Sequence, residues 1–158
     1  MNTTKLNVLA LATLFAGMTL SAQQQFNGIE ATALCKGSKT VQINRQSRVP
    51  SFVWFREDSK IAPTVILDVL RPALHMQLAD GMRTKRVEKD QLGYSHERVS
   101  QTYNDIRVEG GEYIIHTKDG FVYAANGMWF DGIAVNTNAA LTKDAAVAKA
   151  VTYVGASE

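Results

Sequence analysis

Between Tyr94 and Phe130 the sequence alternates β-patterned runs with turn residues, and this order restricts the fold more than any other feature of the chain. The first run is 94–103. A loop is expected over 104–111, where Gly110-Gly111 can adopt backbone angles that other residues avoid. Runs 112–117 and 121–125 then flank Lys118-Asp119-Gly120. Asp-Gly between such runs is a strong hairpin signal, because both residues tolerate positive φ. Asn126-Gly127 falls inside the last run and reads as a bulge or bend, after which Met128-Trp129-Phe130 resumes the strand. Consecutive strands without βαβ alternation predict an α+β fold, a mostly antiparallel sheet packed against one or two helices.

The helices lie before and after that block. Residues 28–36 have a short helical pattern stopped by Gly37, and 40–44 and 50–55 read as strands. Residues 63–79 read as a helix. Pro63 suits its first turn. Ile66, Leu70, Leu74 and Leu78 share one face, with Val69 and Ala73 beside them. Pro72 is expected to kink or split this helix near Arg71, and Asp80-Gly81 to end it. The charged stretch 82–90 predicts an edge strand, where charge blocks unwanted pairing. A final helix is predicted from an N-cap at Thr142, with Asp144 in its first turn and Gly155 as its stop. Ala145, Ala148, Val151 and Thr152 share a face of it.

The N-terminus reads as a cleavable signal peptide. Lys5 is followed by the short apolar stretch 8–15 and by small residues from Gly17 to Ala22, with cleavage expected after Ala22. That stretch is shorter than the ~20 residues a spanning helix needs. The mature chain is therefore expected to start at Gln23, to be secreted or periplasmic, and to keep no stable membrane association. The implied division is 1–22, 23–138 and 139–158. Cys35 is the only cysteine. An exported domain with one cysteine has no internal disulfide and must rely on a packed core, in which Cys35 itself reads as a small buried hydrophobe. A content of 46% hydrophobic and 20% charged residues suits such a core. The net charge of +2 is too small to predict a nucleic-acid surface.

Tests for chemistry fail in turn. His96-Glu97-Arg98-Val99-Ser100 places a serine where a zinc-binding H-E-x-x-H helix needs its second histidine, and the surrounding pattern is β. His75 and His116 are scattered, with no carboxylate cluster to recruit them. There is no G-x-S-x-G, no histidine paired with Cys35, and no Gly-rich phosphate loop. The expectation is a chain that is not an enzyme and needs no metal or cofactor.

The spacing H-x-R-x-x-Q-x-Y at 96–103, followed by Val108, Gly110-Gly111 and an apolar run ending in His116, resembles the propeptide domain of secreted thermolysin-like zinc metalloproteases, the fungalysin/thermolysin propeptide. The resemblance spans roughly 26–132. It implies that His96, Arg98, Gln101, Tyr103, Ile106, Val108, Gly111 and His116 are motif positions and candidate contacts to the protease. Gly110, Gly120, Asn126 and Gly127 are implied to serve turn geometry. Such domains usually carry Gly-Ile-Pro-Val after the tyrosine, whereas this chain has Asp105-Ile106-Arg107-Val108. On a regular strand Arg98 points opposite to Gln101 and Tyr103. The helix from Thr142 is similar to the first helix of a PepSY-type second pro-module.

The resemblance implies an exported pro-segment that chaperones and inhibits a thermolysin-like zinc metalloendopeptidase in cis or in trans. The zinc and the protease domain lie outside these residues. Two other readings stay open on the sequence: a stand-alone exported inhibitor or binding module, and a nonfunctional truncated precursor fragment.

Overall fold

The structure is a computed structural model that describes residues 23–45 and 47–155. The predicted signal peptide, 1–22, lies outside the described residues. Strand β1 (Gln23–Asn27) leads into helix α1 (Gly28–Leu34), then β2 (Ser38–Asn44) and β3 (Pro50–Phe55). Two 3-10 turns (Glu57–Ser59 and Pro63–Val65) precede helix α2 (Ile66–Ala73). Strands β4 (Asp80–Lys89), β5 (Ser95–Tyr103), β6 (Ile106–Lys118) and β7 (Phe121–Met128) follow, and then helix α3 (Lys143–Val154). The strands form one seven-stranded sheet in the order β1-β2-β3-β7-β6-β5-β4, with every neighbouring pair antiparallel. The fold is α+β, as expected.

Two meanders, β1–β3 and β4–β7, are joined where β3 meets β7, with Val53 opposite Ala125. Side chains alternate across a strand, so one residue set faces the helices and the other faces away. Val41, Val53, Val99, Tyr113, Ile115 and Ala125 belong to one buried cluster with Ala31 of α1 and Ile66 and Leu70 of α2. Cys35 is in this cluster, as predicted, and its burial pushes the thiol pKa up to about 12.

The predicted edge strand is β4, which pairs only with β5. The Asp119-Gly120 hairpin is also present, with both residues at positive φ. In α3 the Thr142 side chain accepts from Ala145 N at 3.2 Å, and Gly155 ends the helix in the left-handed region. No residue of α3 is buried.

Four expectations need correction. The helix predicted over 63–79 begins as a 3-10 turn and ends at Ala73. Pro72 sits in its last turn and has no N–H to continue the ladder. His75 then turns the chain out at φ 52°, so Leu78, predicted on the core face, is fully exposed. The loop predicted over 104–111 is only two residues long. Asn104 and Asp105, at φ 47° and 62°, make a tight hairpin, and β6 starts at Ile106. Asn126-Gly127 forms no bulge. Its pairing with Ile114 and Tyr113 is regular, and β7 ends at Met128, leaving Trp129 and Phe130 beyond the strand. Finally, β1 is a strand where no element was predicted; its glutamines carry little β preference, and it is held by pairing with β2.

Candidate functional site

Strands β5, β6 and β7 bring the motif residues together, and a bulge in β6 decides how. Between Ser100 and Thr102 the chain advances two residues on β5, while between Arg107 and Glu112 it advances five on β6. Gln101 lies opposite this extra length, and its side chain crosses it. Gln101 Nε2 donates to Phe130 O at 2.6 Å, and Phe130 N donates to Gln101 Oε1 at 3.0 Å. Gly111 makes room, since a Cβ there would lie 2.6 Å from Gln101 Oε1. Gly110 takes its positive φ within this strand bulge and not in a loop, which corrects the turn role assigned to it. Gln101 and Gly111 are buried, so their work is internal to the domain.

His96 and His116, far apart in sequence, face each other across β5 and β6. Their Nδ1 atoms are 2.7 Å apart, and His116 Nε2 lies 2.6 Å from Asn126 Oδ1. An amide oxygen only accepts, so Nε2 of neutral His116 carries the proton and its Nδ1 accepts from His96 Nδ1. Desolvation by burial holds the His116 pKa below its ordinary value; the Asn126 bond opposes this, and the neighbouring His96 adds to it. On the other side, His96 Nε2 lies 3.6 Å from Asp90 Oδ2. Asp90 closes the β4–β5 connection by accepting from the N–H groups of Leu92 and Tyr94 at 2.8 and 2.9 Å. Desolvation raises its pKa, but those bonds and His96 outweigh it and leave the carboxyl below the ordinary range. Asn126 is therefore a strand residue bonded to His116, not a turn residue.

Arg98 points opposite to Gln101, as alternation requires, and pairs with Glu112. Lys85 Nζ reaches the other carboxylate oxygen of Glu112 at 3.0 Å. The Arg98 and Lys85 hydrogen bonds hold the Glu112 carboxyl below its usual range. Tyr113, on the core side, donates its hydroxyl to Pro50 O and so ties β6 to the start of β3. Gly127 lies opposite Tyr113, and a Cβ there would meet Glu112 O at 2.1 Å. It is a close-approach glycine within a strand.

Tyr103 and Ile106 flank the Asn104-Asp105 turn as a cross-strand pair, with Ile106 exposed and Val108 half-buried nearby. Gly120 keeps its turn role. The sequence reading missed Asp90, Glu112, Tyr113 and the Phe130 backbone. Glu112 follows Gly110-Gly111 directly, and it is recognised as the partner of Arg98 only once the bulge is known.

Two cross-strand rows run along the sheet face opposite the helices. One row runs Trp54, Ala124, His116, His96; the next runs Phe52, Asn126, Ile114, Arg98. Apart from Ala124 these side chains are half-buried or exposed, and the Phe52 and Trp54 rings lie 5.2 Å apart. Among the described residues no group of three histidine, cysteine, aspartate or glutamate side chains is placed to share a metal ion. No described helix is long and apolar enough to cross a membrane.

The structure thus defines an α+β domain with helices packed on one sheet face and a half-buried row of polar and aromatic side chains on the other. Residues 80–128, which are β4 through β7, match the family model described as Fungalysin/Thermolysin Propeptide Motif. The matched segment coincides with the strands and turns that hold every motif residue named above. No curated protein matches the chain.

Proposed function

We propose that this chain is an exported pro-segment that acts as an intramolecular chaperone and inhibitor of a thermolysin-like zinc metalloendopeptidase. The observation that carries this reading is the match of 80–128, which are β4 through β7, to the fungalysin/thermolysin propeptide motif. A segment that binds the native protease and not its unfolded chain stabilises the native state by mass action. The same contact keeps the protease silent until proteolysis removes the segment. The outer face offers the half-buried His96, Arg98 and His116 to a partner, and the β5–β6 hairpin end offers Tyr103, Ile106 and Val108. The exposed α3 fits the start of a second pro-module. The chain itself performs no catalysis in this reading, and the zinc belongs to the partner.

A refolding assay tests the chaperone half. A denatured thermolysin-like protease domain is diluted into buffer with and without the purified chain, the chain is then removed by limited proteolysis, and peptide hydrolysis is measured. Recovered activity that rises with chain concentration is the expected result. Recovery unaffected by a folded chain contradicts it.

A further inference from the structure

One end of the sheet carries a cleft of about 510 Å³ lined by lysines and aromatic rings. It is built where β2, β3 and the β6–β7 turn meet the β4–β5 connection. Three lysines line it, and each ammonium lies over an aromatic ring of the same cleft: Lys39 over Trp54 at 5.5 Å, Lys60 over Phe121 at 4.9 Å and Lys118 over Tyr94 at 4.5 Å. Several cations of β4–β6, by contrast, are held by carboxylates. Lys85 and Arg98 share Glu112, Arg86 pairs with Glu88, and Arg107 pairs with Glu109. Among the described residues Lys39, Lys60 and Lys118 have no carboxylate at ion-pair distance.

A ring face orients an ammonium without cancelling its charge; Lys118 Nζ also donates to the Tyr94 hydroxyl at 2.9 Å and keeps its other N–H groups for a ligand. Arg56, which also lines the cleft, is engaged by Asp58 at 3.0 Å, and Glu57 and Asp119 are the lining carboxylates. With Arg56 held by Asp58, the three lysines face two lining carboxylates in a space walled by aromatic rings.

We propose that this cleft docks an acidic, aromatic-containing segment of a partner polypeptide, its carboxylates on Lys39, Lys60 and Lys118 and its rings against Trp54 and Phe121. The chain's net charge of +2 gives no broad field to hold a long polyanion. The proposal rests on the pro-segment reading for who the partner is, but not for the cleft's chemistry.

The test uses the purified chain and a fluorescein-labelled hexapeptide of three glutamates and three phenylalanines in Glu-Glu-Phe-Phe-Glu-Phe order, followed by anisotropy. The glutamate peptide is expected to bind about tenfold tighter than its glutamine counterpart and to weaken as salt rises. Lys60→Gln and Lys118→Gln are each expected to weaken it about threefold, the range of a single exposed ion pair, while Lys85→Gln leaves it unchanged. Circular dichroism confirms that these surface variants fold. Equal binding of the two peptides, no binding, or an unaffected Lys60→Gln/Lys118→Gln double variant overturns the proposal. So does tighter binding of single-stranded DNA, or self-association of the chain lost in the same variants. Peptide binding without protease inhibition would leave the cleft standing and remove the pro-segment reading; inhibition without peptide binding would do the reverse.

Discussion

Gln101 and Phe130 are joined as two paired strand residues would be, but through a side chain. The Gln101 amide donates to Phe130 O at 2.6 Å and accepts from Phe130 N at 3.0 Å. The bond fixes the chain as it leaves β7 and places Trp129, which is 1% exposed, in the core. Gln101→Leu strips both partners from the Phe130 backbone and is expected to cost about 2 kcal/mol or more, the penalty for unpaired polar groups. Urea unfolding checks this as a lower midpoint with an unchanged slope. Because Gly111 exists to admit Gln101, Gly111→Ala and Gln101→Leu are expected to be non-additive in a double-mutant cycle.

Gly127 has a second steric duty. A methyl group there would lie 2.1 Å from Glu112 O and 2.7 Å from Tyr113 Cα, and backbone cannot move aside as a flexible side chain can. Gly127→Ala is expected to lose about 3 kcal/mol or more, in the class of overpacking and strain. Thermal unfolding by circular dichroism measures the loss.

The histidine pair predicts a pH dependence with a defined sign. Burial holds the His116 pKa below its ordinary 6.5. The unfolded chain therefore binds more protons in the window just under 6.5, so stability is complete above that pH and falls as pH drops through the folded value. Glu112 adds a second, more acidic stage. Its pKa is lowered from 4.5 by Arg98 and Lys85, so its contribution is present above 4.5 and lost below it. Urea midpoints at several pH values are expected to show both stages in the native sequence, and only the lower one in His116→Gln.

Cys35 is expected to be chemically silent. It is 2% exposed, and burial pushes its thiol up to about 12. The thiolate is the reactive form, so a disulfide reagent at pH 8 is expected to label the denatured chain at once and the native chain only as fast as it unfolds. Rapid labelling of native protein would contradict the packing described for α1.

Much of the sheet could be read from local chemistry. Asp119-Gly120 dictates its hairpin, charge marks β4 as an edge, and Thr142, Asp144 and Gly155 bound α3 through capping. What stayed hidden depends on pairing. The three-residue excess in β6 leaves no mark in hydrophobic alternation, so the Asn104-Asp105 turn, the Arg98–Glu112 pair and the Gln101 clamp could not be placed. His96 and His116 meet only once that register is known. Leu78 keeps helical spacing with Leu74, but Pro72 and the positive φ of His75 end the helix first. The motif strands were therefore legible as strands, while the polar contacts that set their geometry were not.

The central claim is that the chain silences a thermolysin-like protease. Titrating a purified mature protease of that kind, from the same source, with the purified chain and following peptide hydrolysis tests it most directly. Slow, tight inhibition that saturates at one chain per protease and fades as the chain is cleaved is the expected result. Full protease activity in the presence of excess, demonstrably folded chain would contradict it.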